Sequence, residues 1–429
     1  MSSLTVTLLL FSLLLLLLFL NVPLVVSIGL PTALIMLGSG MKVATLAQRT
    51  YASVDSFTLM AIPFFMLAGK LMEVGGMSKR IVRLADCLVG WMAGGLAHVI
   101  VVASAFFGAL SGSAAATTAA IGSTLIPEMK KRGYPADFVA GIQAVAGALG
   151  VIIPPSITMI MYGVCSSTSI GKLFMAGIVP GIVLALFLMV TIAYQAKKRK
   201  ISQMNTFTFK ELGTAFLDAI PALLVPTIIL GGIYGGIFTP TEAGAVAATY
   251  GFLAGAFWYK EINLQNIGNI MGGAIVNTVL VMIVVGASGA FSWLLTSAGV
   301  SSLLGKAISA IAGNKYIFLL VANLIFIFIG MFIESVAGIL IVTPILLPIA
   351  TSLGVDPVHF GIIMVVNLAL GLTTPPVGEN QYIAAAIAEI PFEEEVKASI
   401  PFLIAGFAAL AVITYVEPLS LWLPGILGM

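Results

Sequence analysis

Twice in this chain a pair of adjacent prolines interrupts an apolar run at a matching place: Gly150-Val-Ile-Ile-Pro154-Pro155 and, 221 residues later, Gly371-Leu-Thr-Thr-Pro375-Pro376. Each proline removes a backbone donor and clashes with the preceding turn, so a helix arriving at either pair has to break. The match runs upstream. Gly108 pairs with Gly330, Pro127 with Pro348 and Phe138 with Phe360, while Pro23 and Pro240 punctuate paired apolar runs. Self-similarity at this long period reads as one unit built twice.

The setting of the unit is lipid. Of 429 residues, 60% are hydrophobic and 8% charged, against about 25% charged in a soluble domain. Apolar runs such as Leu4 to Leu20, Ile178 to Ala193 and Ala219 to Phe238 reach or approach the roughly 20 residues a helix needs to cross the hydrocarbon layer. The first run lacks a basic start and a small-residue cleavage site, and further apolar segments follow it, so it is expected to be a retained helix. The net charge of +2, without a long charged tail, implies no nucleic-acid partner; the partner is the bilayer itself. Cys87, Cys165, His98 and His359 stand apart, without redox or metal spacing. The two histidines are expected to pack.

The repeats span 1–200 and 210–429. In the first, scaffold helices are expected within 1–85, and a hairpin and broken helix over about 91–170; in the second, these fall within 215–300 and about 316–390. The hairpins are Trp91 to Ile126 and Tyr316 to Ala350, reversing at Ser111-Gly112-Ser113 and Glu334-Ser335. A re-entrant hairpin adds no net crossing, which leaves about five crossings per unit, an odd number, so the second unit is inverted. The expected fold class is an all-α polytopic membrane protein of two inverted-topology repeats. Lys130-Lys131-Arg132 and Lys197-Lys198-Arg199-Lys200 both fall inside, as cytoplasmic loops require. Thr351 to Pro357, with Asp356 and no Lys or Arg, then faces outward. Lys42 and Arg49 depart from this pattern, on a segment expected to be an interfacial helix.

Unwound backbone at membrane depth survives only where it is buried in protein or lines a cavity, and there its carbonyls can hold a cation. Gly150, Ile153 and Pro155, with Gly147 and the tip residue Ser111, form one candidate set; Gly330, Glu334, Gly371, Thr373, Thr374 and Pro376 form the other. Hydroxyls and carbonyls suit an alkali cation better than a transition metal, so Na+ is expected at both. Candidate substrate contacts at the tips and breaks are Ser111, Ser113, Ser156, Thr158, Glu334 and Ser335. Facing tips bring helix N-termini together, which favours an organic anion. Glu334 is the most informative ionisable residue, since a carboxylate at membrane depth tends to be functional. Glu242 reads as a helix cap, Glu379 and Asn380 as lesser candidates. The Ala114-Ala115-Ala116 and Thr117-Thr118 stretch reads as close helix packing. No nucleophile with a base, no metal cluster and no phosphate loop is present, which argues against an enzyme and against ATP-driven transport. A channel could use the same half-helices, but separate closed cation sites favour alternating access.

Gly-Val-Ile-Ile-Pro-Pro-Ser at 150–156, Thr-Pro-Thr-Glu-Ala at 239–243, Val-Thr-Pro-Ile-Leu-Leu-Pro at 342–348 and Leu-Thr-Thr-Pro-Pro-Val-Gly at 372–378 together resemble the large (M) subunit of TRAP (tripartite ATP-independent periplasmic) transporters. The resemblance covers essentially the whole chain. It implies an elevator-type transporter of the bacterial inner membrane, driven by sodium, with a small four-helix membrane subunit and a periplasmic substrate-binding protein as partners. No segment precedes the first large-subunit helix, so the small subunit is expected to be a separate chain. Family substrates are C4-dicarboxylates, sialic acid and other carboxylates. The acidic Glu334 would repel a second carboxylate, which tilts the expectation toward a hydroxylated monocarboxylate of the sialic acid type. The alternative is a binding-protein-independent sodium/dicarboxylate symporter of similar two-hairpin design.

Overall fold

The computed structural model describes residues 2–20, 22–201, 207–300, 303 and 313–428. The ends of the two expected units at 1 and 429, and the stretch 304–312, lie outside the described residues. Every regular element among the described residues is helical. In lipid a helix satisfies its own backbone donors and acceptors where no water can.

The first half begins with α1 (Ser3–Phe19) packed on α2 (Leu24–Gly38), then α3 (Val43–Val54), α4 (Ala61–Val74) and α5 (Met77–Val89). The hairpin follows as α6 (Leu96–Ser111) and α7 (Ala114–Lys131), turning on Gly112 at φ 62°. Next come α8 (Ala136–Ala146), the short α9 (Leu149–Ile152) and α10 (Ile157–Ser166), with a 44° bend at the Pro-Pro break, and then the long α11 (Ile170–Lys198).

The second half gives α12 (Phe209–Tyr234), α13 (Pro240–Leu253) and α14 (Ile267–Ser297). A second hairpin, α15 (Lys315–Gly330) and α16 (Ser335–Ser352), leads to α17 (Pro357–Gly371) and, beyond the second break, α18 (Glu379–Ala388). The chain closes with α19 (Phe392–Tyr415) and α20 (Pro418–Ile426). Among the described residues six helices are long and apolar enough to span a membrane, seven if the bent pair counts as one.

Three details refine the sequence reading. The second hairpin reverses over Met331–Glu334, because Glu334 already caps α16: its carboxylate accepts from the Val336 amide at 3.0 Å. Helix α3, which carries Arg49, has no buried side chain, as an interfacial helix would, and the Arg49 guanidinium lies 4.7 Å from the Trp293 ring. Glu242 is a cap, completing a capping box with Thr239. The Thr239 amide and hydroxyl hold its carboxyl below the usual range.

Glycine decides how closely the hairpins approach the breaks. A Cβ on Gly108 of α6 would lie 2.8 Å from the Gly150 Cα, and one on Gly330 of α15 would lie 3.0 Å from the Gly371 Cα. Backbone touches backbone at both places, and only glycine permits that. The tip does the same: a Cβ on Gly112 would stand 3.0 Å from the Pro155 carbonyl oxygen.

Gly371→Ala should therefore lower stability by about 1–3 kcal/mol through overpacking. Gly231→Ala in α12, where a Cβ meets nothing within 4 Å, should be neutral or stabilise by up to about 1 kcal/mol. Thermal melts of the two purified variants check this; equal melting temperatures would contradict it.

Candidate functional site

The two tips and two breaks meet at one cavity of about 450 Å³. One wall is mostly hairpin and broken-helix residues: Ser111, Gly112, Ser113 and the α7 start; Val151, Ile157 and Thr158; Glu334 and Val336; Leu372, Glu379 and Ile383. The opposite wall comes from α4, with Met66, Gly69, Lys70 and Glu73, and from α14, with Asn277, Leu280 and Val281.

Four helices begin at this cavity: α7, α10, α16 and α18. Each helix start carries the equivalent of roughly +0.5 charge and free amide donors. Their caps differ by half. Ser113 caps α7 and Ser156 caps α10 with neutral hydroxyls. Glu334 caps α16, and Glu379 is the first residue of α18. The first-repeat side thus keeps its positive potential for a ligand, while carboxylates answer it on the second-repeat side.

The structure places the expected residues unevenly. Ser111, Ser113, Thr158 and Glu334 line the cavity, and Glu334 is exposed through it. Ser156 stands behind the wall, with its hydroxyl donating to the Val151 carbonyl at 2.6 Å and meeting the Thr158 hydroxyl at 3.0 Å. Ser335 is also behind it, 1% exposed with an unpartnered hydroxyl.

Around the first break, Ser111 Oγ lies 3.0 Å from Thr117 Oγ1. A Cβ on Gly150 would collide with that threonine oxygen and with the Ser113 carbonyl. With the Pro155 carbonyl against the tip, this is a concentration of oxygens able to hold an alkali cation. Ile153 packs its side chain on Gly181 of α11. Around the second break, the Thr373 and Thr374 hydroxyls both donate to the Leu370 carbonyl at 2.7 Å, beside the Gly330–Gly371 contact. Pro376 lies exposed at the edge.

Ala114, Ala115 and Ala116, expected to pack, are also part of the cavity wall. They form the first turn of α7 and line the cavity, where the Ala116 amide donates to the Ser113 hydroxyl at 3.3 Å. Lys70, Glu73 and Asn277 were not found from sequence. Lys70 Nζ pairs with Glu73 Oε2 at 3.0 Å, and a Cβ on Gly273 of α14 would touch the Lys70 stem at 3.3 Å. The signal for Lys70 and Glu73 was ionisable residues within an apolar helix, in Ala-Gly-Lys-Leu-Met-Glu at 68–73. His98 and His359 are buried, each with Nε2 against a backbone carbonyl, Ala93 and Thr414 respectively.

Thiol labelling tests the wall. With Cys87 and Cys165 replaced, Ala115→Cys should react with a membrane-impermeant thiol reagent from the side the cavity opens to, whereas Ser335→Cys should resist. Equal labelling would show that the wall is misassigned.

Comparison with known proteins adds an independent line. The family model described as "Tripartite ATP-independent periplasmic transporter, DctM component" matches residues 9–419. The chain is 42% identical to the C4-dicarboxylate TRAP transporter large permease protein DctM of Pseudomonas aeruginosa, over 94% of this chain and 95% of that one. It is 42% identical to the isethionate TRAP transporter permease protein DctMQ of Oleidesulfovibrio alaskensis, over 94% of this chain but 64% of that longer protein. It is 37% identical to the sialic acid TRAP transporter large permease protein SiaM of Vibrio cholerae, over 88% of each chain. Among solved structures, the YdaH transporter of Alcanivorax borkumensis aligns with a TM-score of 0.63 at 14% identity, over 88% of this chain and 89% of that one. That match speaks for the fold alone.

Proposed function

This chain belongs to the DctM component family of tripartite ATP-independent periplasmic transporters, as a multi-pass permease subunit of the inner membrane and not an enzyme; on that premise we propose that it imports a small hydroxylated organic monoanion by sodium-driven elevator movement. Large subunits of the family work with a small membrane subunit and a periplasmic binding protein. A small membrane subunit is the chain's expected partner in the bilayer, and the binding protein delivers the anion to the cavity.

The observation that carries the substrate class is the uneven capping of the four helix starts. An anionic group fits at α7 and α10, where the caps are uncharged and Ser111, Ser113 and Thr158 supply hydroxyls. Lys70 adds the single cation of the cavity wall among the described residues. Hydroxyl or amide groups of the substrate fit at Glu334 and Glu379, which accept hydrogen bonds when ionised and would repel a second carboxylate. Sialic acid has this distribution, and isethionate, named for one relative, shares the anion-plus-hydroxyl pattern.

Sodium supplies the drive through the oxygen sets at the two breaks: Ser111, Gly150, Ile153 and Pro155, and Gly330, Glu334, Gly371, Thr373, Thr374 and Pro376. Because each set joins a hairpin to a break, a bound cation closes tip onto break. The two repeats are inverted, α6–α10 and α15–α18 form the moving body, and the remaining long helices form the scaffold.

Uptake of labelled sialic acid into proteoliposomes holding the chain and its small subunit should require both an inward sodium gradient and an added cognate binding protein. Uptake without the binding protein would make this an independent symporter. In the same system Lys70→Met should raise KM by about 10–100-fold, the scale of a lost charged hydrogen bond of about 1.5–3 kcal/mol. An unchanged KM would remove Lys70 from the anion's surroundings.

A further inference from the structure

A second cavity, of about 370 Å³, lies beyond the first along α14, toward the base of the second hairpin, the side expected to face outward. Its scaffold wall carries Ser53 of α3 and Ser288, Ser292 and Trp293 of α14. The helices α10 and α16, which show their first turns to the main cavity, answer here with Met161, Val164, Leu340 and Pro344 and with the weakly polar Cys165 thiol. Hydroxyls thus face a largely apolar wall. Ser288 is 0% exposed and its hydroxyl has no partner, a buried polar group that calls for a use.

The two cavities share one face of α14. Asn277 and Val281 line the main cavity, Ser288 and Ser292 the outer one. At 3.6 residues per turn these four fall within about 60° of one another. Eleven residues, or about 16–17 Å of helix, separate Asn277 from Ser288 and Val281 from Ser292. Each end of this face also has a cation. The Lys70 stem lies where a Cβ on Gly273 would touch it, one turn before Asn277. At the other end the Arg49 guanidinium lies 4.7 Å from the Trp293 ring, and the Arg49 carbonyl accepts from the Ser53 hydroxyl at 2.6 Å. Arg49 is exposed, and among the described residues no carboxylate pairs with it. Lying against the ring leaves its charge in place, and its planar donors fit a carboxylate or sulfonate.

We propose that the outer cavity is the scaffold's outward station for the transported organic anion, with Arg49 as its cation and Ser53, Ser288 and Ser292 as its hydroxyl contacts. This deepens the proposed function and rests on its elevator movement. Sliding by about 16–17 Å along α14 carries the tips from Asn277 to Ser288 and leaves Lys70 behind. A carrier with a cation at only one end of its track would hold its anion there. Arg49 supplies the matching charge at the other end. Its place on the outer side, against the usual bias of Lys and Arg toward the cytoplasm, then has a reason.

Right-side-out vesicles hold the complex of this chain with its small subunit, sodium and the binding protein are added outside, and labelled sialic acid and labelled isethionate are the probes. Arg49→Met should raise KM for uptake by about 10–100-fold, the scale of a lost charged hydrogen bond, and Arg49→Lys should fall between it and the wild type. With Cys87 and Cys165 replaced, Ser292→Cys should react with an impermeant thiol reagent from outside. Binding protein that arrives loaded should protect it, and binding protein that arrives empty should not. Protection by neither form, or by both alike, would overturn the proposal. So would an Arg49→Met variant that keeps the wild-type KM, which leaves Arg49 an interfacial anchor of α3 on Trp293. A variant that binds the empty binding protein correspondingly less tightly would overturn it too, making Arg49 a docking residue. A wild type that imports neither anion would sink the substrate reading and the station with it, whereas import that Arg49→Met leaves unchanged sinks the station alone.

Discussion

Backbone-on-backbone contact at two glycine pairs, Gly108 with Gly150 and Gly330 with Gly371, holds the functional half of this protein together. An unwound segment inside a bilayer has unpaired amides and carbonyls that cost several kcal/mol each if lipid reaches them. Seating a hairpin arm directly on each break excludes lipid and leaves the freed groups facing protein or the cavity. From that contact follow the placement of the tips, the gathering of oxygens around Gly150 and the convergence of four helix starts.

The cavity then sorts charge. Neutral serine caps on α7 and α10 and carboxylates at α16 and α18 divide one space into an anion-accepting side and a donor-accepting side. Lys70 and Asn277 reach it from the opposite wall, α4 and α14. Relatives of closely similar identity bear the names of a C4-dicarboxylate, a sulfonate and a sialic acid permease. Overall similarity thus identifies the family without naming a cargo.

The breaks, the hairpins and the first reversal were legible because glycine and proline act locally: Pro154-Pro155 breaks a helix whatever surrounds it, and Gly112 turns the first tip by its own left-handed backbone. The cavity-lining Ser111, Ser113, Thr158 and Glu334 were legible for the same reason, being neighbours of those marks. Lys70 and Asn277 were hidden because the glycines beside them, Gly69 and Gly273, neither break nor turn their helices, and their meeting with the tips depends on tertiary packing. Ala114 to Ala116 were read as packing residues and also line the cavity, since small side chains look alike whether they face a neighbouring helix or a cavity.

Movement of the hairpins and broken helices past α4 and α14 is the central claim, and one cross-link tests it most directly. A Cβ on Gly69 of α4 would stand 3.3 Å from the Ser111 Cα at the first tip. A Gly69→Cys, Ser111→Cys double variant, with Cys87 and Cys165 replaced, can therefore be oxidised to join scaffold and tip. Ser111→Cys removes one hydroxyl from the sodium and substrate sets and should by itself leave a reduced rate; if the two bodies must slide past each other, oxidation abolishes the uptake that the reduced double variant retains, and reductant restores it. Undiminished uptake by fully cross-linked protein would contradict the movement.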